Sequence, residues 1–504
     1  MYDKDEVQGR LYTEVNTFGI GLVVLFSLIV VILQRNKWTH ALTSLPPGPS
    51  GYPLIGCLLD VDDKLPMTFM RWAERYGSVF SVRLGVTTVV VLNGYEAHKD
   101  ALKRVELAGR PTYSLLRMIL GDHGIAAQQY NDEWREQRNF VVEAFHRRLG
   151  NQLLEDRIQE EANALCNALL DEVGKPISLP RHLQNAVGNV ISCLCFGRRF
   201  EYSDPVLQNL LQMFDEFSDN VASTSVVDFF PFLRHVATPA YKRIYKPYDA
   251  ILNYAKKEIQ EHKKDFVKET PKDFIDAFLA RMEEDIISGT RSSFTHNNLS
   301  QGVFELFIGG INTTFFTLTW MFLYMIKYPD IQRRVQSEID SVLAEDEFPN
   351  MRHKDKMPYT DACLKEISRH ASVAWMGGPH EAMTDIELNG YVIPKGTTIF
   401  MNIWSVHYDK IHWNNPEEFR PDRFLDENGR VKTIEAYIPF SIGRRECMGK
   451  QLANMNLFLI FVSLLKKFSF QDVDGDDNLR HVTSGSFGPV HVPPKYRVTL
   501  FPRN

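Results

Sequence analysis

Cysteine is scarce in this chain. Its 504 residues include 6 cysteines scattered along the sequence, which excludes a disulfide framework like those that hold small secreted domains together. We therefore expect a reducing compartment. Cys193 and Cys195 are separated by one residue, a poor spacing for zinc, and apolar residues flank them. We expect both to be packing residues of the core.

Excess positive charge is also lacking. The 57 lysines and arginines are outnumbered by 63 acidic residues, and the formal net charge of -6 gives no support for nucleic-acid binding. The sequence contains no Walker loop and no Gly-x-Gly-x-x-Gly unit between a strand and a helix, which excludes a built-in flavin or nicotinamide module. Internal repeats and low-complexity tracts are absent as well.

Long apolar runs, by contrast, are present. Hydrophobic residues make up 44% of a sequence that is long enough for one large core or two. The first run, residues 15–33, has the length of a membrane-crossing helix. A cleaved signal peptide is the alternative, but acidic residues precede the run and no small-residue cleavage site follows it. Arg35 and Lys37 come next, which places the rest of the chain in the cytosol.

The second apolar run, residues 303–326, is also long enough to cross a membrane. Glu305 and the small or polar residues between 309 and 314 interrupt it, so we expect instead a central helix buried on all sides. Strands are expected at 80–92 and at 387–401, the second with a hairpin turn at Asn389-Gly390. Helical patterning dominates between these two regions.

The most informative segment runs from Phe440 to Gly449. Its single cysteine, Cys447, follows Arg444 and Arg445, and a periodic apolar pattern predicts a helix that begins nearby. Basic neighbours and the positive end of a helix both favour a thiolate. A soft anionic sulfur without zinc-like partners around it suits haem iron. An ordinary buried cysteine is the alternative.

Five positions of this segment, Phe440, Gly443, Arg445, Cys447 and Gly449, resemble the haem-binding loop of cytochrome P-450 monooxygenases, whose pattern is Phe-x-x-Gly-x-Arg-x-Cys-x-Gly. The chain is most similar to the animal microsomal type, which includes steroid and xenobiotic hydroxylases. The resemblance implies that Cys447 is the axial thiolate of haem b (iron protoporphyrin IX) and that Arg445 pairs with a haem propionate. It also implies that Gly443 and Gly449 let the backbone pass close to the haem, as residues without a Cβ can.

The architecture follows from the same resemblance. It predicts a mainly α single-domain cytochrome P-450 fold with small β-sheets, in which the haem lies between the long central helix and the helix of the cysteine loop. Residues 1–14 would be lumenal, 15–33 a transmembrane anchor, 34–50 a basic and proline-rich hinge, and 51–504 the haem-thiolate catalytic domain. The implied location is the endoplasmic reticulum membrane, crossed once, with a cytosolic catalytic domain.

Gly309 and Thr313 are four residues apart, so on a helix they share a face where a notch lies beside a hydroxyl. The segment 309–314 resembles the family's oxygen-activating stretch, which reads small-Gly-x-acid-Thr-Thr. Here Asn312 occupies the acid position, and an amide cannot exchange a proton near pH 7, although it can orient a water. Thr313 and Asn312 are the candidate catalytic residues. Asn312 either slows proton delivery or is a neutral variant, and both interpretations stay open.

Glu366 and Arg369 are spaced for one face of a predicted helix, and such pairs are usually solvated. Because a Phe-Arg-Pro-Asp-Arg-Phe segment and then the cysteine loop follow in the family's order, the resemblance implies a buried network of Glu366, Arg369 and Arg423 that supports the haem pocket.

Trp134 and Arg138, at i, i+4 spacing, would present two donors to a carboxylate. The resemblance implies that they, His380 and Arg445 contact the haem propionates. Ordinary packing is the alternative for Trp134 and Arg138, and His380 alone is a routine polar residue.

Partners are implied by the resemblance as well. Electrons would come from NADPH-cytochrome P-450 reductase, with cytochrome b5 as a second donor, and the substrates would be O2 and a lipophilic small molecule such as a sterol or steroid, a fatty acid or a xenobiotic. Arg444, Arg445 and Lys450 would suit an acidic reductase, although a generic solvated face explains these charges as well. The aromatic segment 227–233 suits either a membrane surface or a packed loop.

The substrate pocket is expected, by family analogy, to be walled by residues 112–120, 372–378 and 484–488, and Trp375, Met376 and Phe487 indicate an apolar lining. Two other functions stay open. Asn312 motivates a haem-thiolate isomerase, dehydratase or peroxide-dependent enzyme, and a non-catalytic haem- or lipid-binding protein is the third hypothesis.

Overall fold

Helices dominate the computed structural model of the chain, which describes residues 45–112, 114–121, 123–145, 149–235, 238–289, 292–473 and 485–503. The predicted anchor and most of the hinge lie outside these described residues. The α-helices of the described ranges are α1 (Leu65–Tyr76), α2 (Tyr95–Lys103), α3 (Leu115–Leu120), α4 (Asp132–Glu143), α5 (Asn151–Leu170), α6 (Leu179–Phe196), α7 (Pro205–Thr224), α8 (Thr238–Asp265), α9 (Phe274–Ser288), α10 (His296–Lys327), α11 (Pro329–Val342), α12 (Pro358–Ala371), α13 (Ile403–His407) and α14 (Lys450–Lys467).

Short strands form small sheets at the edges of the helical body. They are β1 (Val79–Leu84), β2 (Thr87–Leu92), β3 (Pro176–Ile177), β4 (His380–Glu381), β5 (Ile386–Leu388), β6 (Tyr391–Ile393), β7 (Thr398–Met401), β8 (Phe468–Asp472), β9 (Ser486–Phe487), β10 (His491–Val492) and β11 (Val498–Pro502). The largest sheet has the order β1-β2-β7-β4, and the others pair β3-β11-β8, β5-β6 and β9-β10. Within the largest sheet β2 and β7 run parallel, while the remaining pairs are antiparallel.

The two predicted strand regions are confirmed. Val79 pairs with Leu92 across the β1–β2 hairpin. At the second, Asn389 and Gly390 have φ angles of 52° and 80° between β5 and β6, the left-handed pair that a two-residue type I′ turn requires. The Asn-Gly pair was therefore sufficient to predict where this hairpin turns.

The long helix α10 is the centre of the fold. Thr295 caps its first turn by accepting a hydrogen bond from the backbone N–H of Asn298, and Pro329 begins the next helix directly after it. It packs against α6, α8, α9, α11, α12 and α14. Within the described part of the chain, α10 is the helix long and apolar enough to cross a membrane, and Trp320 and Phe304 on it are fully buried. The prediction of a central helix is confirmed, but α10 is not buried on all sides, because the face that carries Gly309 and Thr313 stays partly accessible.

Candidate active site

The cysteine loop is closed by its own backbone. The N–H of Cys447 donates to the carbonyl of Phe440 at 2.9 Å, and α14 begins three residues after the cysteine, with Gly449 as its N-cap. Gly443 has a φ of 84°, and a Cβ there would lie 2.1 Å from the carbonyl oxygen of Leu102. Gly443 therefore lets the loop approach α2, a constraint that the sequence did not reveal. A Cβ on Gly449 would have only the Cys447 sulfur nearby, at 3.9 Å.

Cys447 differs from the other cysteines in exposure. The five others are buried, whereas Cys447 is exposed. The protein around it nevertheless withholds solvent, and this desolvation raises the pKa of the thiol, with smaller lowering effects from the Gly449 backbone, Arg138 and Lys450. In the chain without its cofactor, desolvation of the Cys447 thiol therefore outweighs the local charges that favour a thiolate. A bound cation would reverse the balance, because coordination deprotonates a thiol.

Arg445, which lies two residues before Cys447, does not act on the sulfur. Its guanidinium donates to the carbonyls of Ala108 at 2.8 Å and Gln128 at 2.7 Å. It also lies 4.0 Å from the ring centroid of Trp134. Arg445 is therefore absent from the charges that shift the pKa of the Cys447 thiol, among which Arg138 and Lys450 lower it and Glu446 raises it.

Arg445 belongs to a cluster of three arginines, with Arg110 and Arg138. Arg110 donates to the carbonyls of Ala126 at 2.9 Å and Pro379 at 2.8 Å, and Arg138 donates to that of Glu446 at 2.6 Å. Among the residues that the structure describes, none of the three forms an ion pair with a carboxylate.

Burial and mutual repulsion act on this cluster. Desolvation, followed by the charges of Arg110 and Arg138, lowers the pKa of Arg445 to about 8. Desolvation and Arg138 likewise lower the pKa of Arg110 to about 10. Like charges held together at partly or fully buried positions oppose folding, and an anionic group bound beside them would relieve this repulsion.

Two residues predicted to contact the propionates, Trp134 and His380, form hydrogen bonds with main-chain carbonyls instead. The indole N–H of Trp134 donates to the carbonyl of Ile125 at 2.9 Å, and Nδ1 of buried His380 lies 2.6 Å from the carbonyl of Leu107. Desolvation, followed by Arg110, lowers the pKa of His380 to about 3, so the ring is neutral. Both side chains hold the main chain around the arginines, and direct propionate contact by either one stays a prediction.

One face of α10 is partly accessible to solvent. Leu306, Gly309, Thr313 and Thr317 are accessible or partly so at i, i+3/i+4 spacing, in a helix whose other residues are mostly buried. A Cβ on Gly309 would meet no heavy atom within 4 Å. The hydroxyl of Thr313 donates to the carbonyl of Gly309 at 2.5 Å. The predicted notch beside a hydroxyl is therefore present.

Asn312 points to a neighbouring helix. Its Nδ2 donates to the hydroxyl of Ser218 on α7 at 2.9 Å. Gly310, on the other side of α10, packs so closely on α6 that a Cβ would lie 2.6 Å from Ile191 Cδ1. The amide at the family's acid position is thus held by a helix–helix contact.

The sequence model of the family described as "Cytochrome P450" matches residues 46–500 of the chain. The chain belongs to the cytochrome P450 family. It is 38% identical over 492 residues to cytochrome P450 2D15 of the dog (Canis lupus familiaris), covering 95% of this chain and 97% of the dog protein. It is 37% identical over 504 residues to cytochrome P450 2D4 of Rattus norvegicus, with 97% and 99% covered. Cytochrome P450 2D6 of Pan troglodytes is 39% identical over 494 residues, with 96% and 98% covered.

The family confirms the predicted fold class and the predicted cofactor. This P450 is a monooxygenase that uses haem b with an axial cysteine thiolate, and it acts on lipophilic substrates with O2 and electrons from a redox partner. The residues present fit the haem. Cys447 offers the accessible sulfur, and the three arginines offer counter-charges for two propionates.

The structure also brings together the predicted network of this P450. The Glu366 carboxylate accepts hydrogen bonds from Nε and Nη2 of Arg369 at 2.7 and 2.9 Å, and from Nε of Arg423 at 2.8 Å. The three side chains are 0%, 0% and 5% exposed. Arg369 also donates to the carbonyl of His407 at 2.7 Å, so the network ties α12 to α13 and to the segment before the cysteine loop.

Arg110 and Glu305 are site residues that sequence reasoning missed. The buried Glu305 carboxylate accepts hydrogen bonds from the backbone N–H of Ile125 at 2.7 Å and of Ala126 at 3.1 Å. Ile125 in turn accepts from Trp134 and Arg445. A lone acid within an apolar run was the available signal for Glu305, whereas Arg110 carried none.

Trp375, one of the residues expected near the substrate pocket, is buried. It is 2% exposed, and its indole donates to the carbonyl of Gly488 at 2.8 Å inside an aromatic cluster with Trp404 and Tyr408. Direct contact of its ring with a substrate stays a prediction. Met376 and Phe487 pack on this cluster and are partly exposed, and Ser484 lies outside the described residues.

Proposed function

We propose that Cys447 is the axial ligand of the haem iron and that Arg445, Arg110 and Arg138 bind the propionates. The arginine cluster is the observation that supports this most strongly, because its three guanidiniums donate to main-chain carbonyls and none forms an ion pair among the described residues. Gly443 and Phe440 shape the loop that presents the sulfur, and Gly449 leaves space beside it. The haem, when bound, activates dioxygen and transfers one oxygen atom to a C–H bond.

Thr313 and Asn312 would guide proton delivery on the side of the haem opposite Cys447. The Thr313 hydroxyl donates its hydrogen to the Gly309 carbonyl and can accept a hydrogen bond from a further donor. To relay a proton it would take one from that donor and release its own, which requires its hydrogen to turn away from the carbonyl. The absent side chain of Gly309 leaves room for a small molecule beside it. Asn312 can orient a water but cannot supply a proton. Trp134 and His380 would hold the backbone that carries the arginines. Glu366, Arg369 and Arg423 would stiffen the proximal side.

The electron donor we propose is NADPH-cytochrome P450 reductase, with cytochrome b5 as an additional donor. Arg444 and Lys450 are exposed beside the cysteine loop, which supports docking of an acidic protein. Arg135, in contrast, is paired with Asp132. The substrate would be a sterol or steroid, a fatty acid or a xenobiotic, because the accessible face of α10 carries Leu306 and Phe316, and the Thr313 and Thr317 hydroxyls on it donate to carbonyls of their own helix.

We further propose that the chain crosses the endoplasmic reticulum membrane once, through residues 15–33, with 1–14 lumenal, 34–50 a hinge and 51–504 the cytosolic catalytic domain. Exposed apolar side chains support a membrane-facing surface near the start of that domain. Leu54 and Leu59 are 50% and 70% exposed, and Phe232 is 60% exposed. The β1–β2 turn joins these segments, since Gly85 bonds to the carbonyl of Ile55 and Val86 to that of Phe229.

Reconstitution tests this proposal. The purified holoprotein is incubated with reductase, NADPH and oxygen, and a panel of sterols, fatty acids and drugs that shift its spin state is screened for hydroxylated product. We expect product only when all three are present. Product formed without reductant would support the isomerase, dehydratase or peroxide-dependent alternative, which the amide at position 312 favours. Ligand binding without NADPH consumption for any compound would support a non-catalytic binding protein.

A further inference from the structure

Helix α7 meets α10 along an aromatic seam that ends at a polar contact. Phe214 stacks on Phe307 with ring centroids 5.4 Å apart, and Phe217 contacts Phe304 edge-on at 5.2 Å. The next residue of α7 is Ser218, whose hydroxyl accepts a hydrogen bond from Nδ2 of Asn312 at 2.9 Å. Positions 214, 217 and 218 lie on one face of α7, so the hydroxyl is part of the same helix contact.

The contact orients an amide directly beside the proposed proton-relay residue. Asn312 precedes Thr313, whose hydroxyl is bonded within its own helix to Gly309. Ser218 can accept from the amide nitrogen or donate to the amide oxygen, so the bond exists for either assignment of the amide atoms. Neither group titrates near neutral pH, so the contact can set orientation but cannot deliver protons.

We propose that Ser218 is a positioning residue that fixes the Asn312 amide and thereby couples the position of α7 to proton delivery at Thr313. The inference rests on the proposed function and deepens it. A substrate that displaces α7 would release the amide, so the efficiency of oxygen insertion would depend on how each substrate seats against this helix.

Contacts of α7 with neighbouring segments show how a bound substrate could displace it. Helix α7 contacts α3, which lies in the segment expected to wall the substrate pocket. The backbone N–H of Leu115, at the start of α3, donates to the Asp228 carboxylate at 2.5 Å just beyond the end of α7. Tyr245 on α8 donates to the carbonyl of Met118 at 3.1 Å. Substrate contact with α3 is therefore mechanically connected to α7.

Hydrogen–deuterium exchange of the substrate-free holoprotein tests the contact without turnover. We expect Ser218→Ala and Asn312→Ala each to speed exchange across the second half of α7, and the double variant to add nothing further, because both remove one bond. Ser218→Thr keeps a hydroxyl and should retain protection. Ser223→Ala, an exposed serine of the same helix, is the matched control. Additive effects of the two alanines, or no effect of either, would overturn the contact.

Product and peroxide per NADPH then test the coupling. We expect Ser218→Ala, made in the parent, to raise the share of consumed NADPH that ends as peroxide at least about twofold. The same substitution made in Asn312→Ala should leave this share unchanged. Ser218→Thr, which keeps the hydroxyl, should behave like the parent. An equal rise in both backgrounds, or an unchanged fraction, would overturn the positioning role. If the parent forms no NADPH-dependent product at all, the proposed function fails, and coupling to proton delivery fails with it; the exchange experiment then still decides whether the helix contact exists.

Discussion

The guanidinium of Arg445 lies 4.0 Å from the ring centroid of Trp134, and both side chains donate to the same carbonyl oxygen, that of Ile125. This arrangement joins the cysteine loop to α4 and to the segment before it. The guanidinium of Arg445 is buried, and it forms no ion pair with a carboxylate among the residues that the structure describes. Haem binding and the integrity of this part of the fold are therefore expected to depend on each other.

Arg445→Ala should lower haem content. The change removes the hydrogen bonds to Ala108 and Gln128 and one counter-charge for a propionate. We expect the ratio of haem absorbance to protein absorbance to fall several-fold, and Arg445→Lys to restore little because it lacks the planar fork. Arg444→Ala is the control, since Arg444 is exposed and next in sequence. Equal haem loss in both alanine variants would contradict the assignment.

Glu305 should make stability depend on pH. Burial raises its pKa to about 7, so the folded chain holds this proton more tightly than the unfolded chain does. The resulting stability is fully present below the ordinary carboxyl pKa and is lost as pH rises through about 7. The free energy of unfolding should therefore fall by up to about 3 kcal/mol through this one group.

Glu305→Gln provides the comparison for that prediction, because an amide oxygen can still accept from Ile125 and Ala126 but does not ionise. Urea unfolding of the parent and the variant at several pH values measures the difference. We expect the variant to gain stability relative to the parent as pH rises from 5 to about 7.5. A difference that stays constant with pH would show that Glu305 does not titrate in this range.

Asn312→Asp should raise the fraction of electrons that end in product, provided that the missing acid limits proton delivery. A carboxylate at this position can accept a hydrogen bond from the Ser218 hydroxyl, so the helix contact survives, and it can also take up and release a proton, which the amide cannot. We expect a rise of about two- to threefold in product per NADPH. Unchanged or poorer yield would identify Asn312 as a neutral variant of the acid.

Glu366→Ala should destabilise the fold strongly. It leaves Arg369 and Arg423 buried without their shared carboxylate, a situation that costs about 3–5 kcal/mol. Glu418→Ala is the matched control, because its carboxylate forms only a 3.8 Å pair with Arg420 and is half exposed. Denaturant unfolding measures both. A loss below about 1 kcal/mol for Glu366→Ala would contradict the dependence of the two buried guanidiniums on this carboxylate.

Sequence reasoning succeeded where local spacing sets the structure. The Asn389-Gly390 turn, the strand pairs and the central helix follow from short patterns of residues. The spacing of Gly309 and Thr313 predicted their shared face, and the order of motifs predicted that Glu366, Arg369 and Arg423 would meet. In each case a short segment or a fixed motif order carried the information.

It failed where distant segments meet. Arg445 bonds to Ala108, which precedes it by 337 positions, so this contact had no local signature. Arg110 and Ser218 lie in segments without a recognisable motif, and only the folded chain brings them to the site. The desolvation of Cys447 had no local signature for the same reason, since it comes from the whole fold and not from the charges beside the cysteine in sequence.

The carbon monoxide spectrum of the reduced holoprotein tests most directly whether Cys447 binds the haem iron. We predict the strongly red-shifted Soret band of thiolate ligation for the parent and for Cys193→Ser, and its loss in Cys447→His, in which an imidazole replaces the sulfur. A parent spectrum typical of imidazole ligation, or an unchanged thiolate spectrum in Cys447→His, would contradict the account.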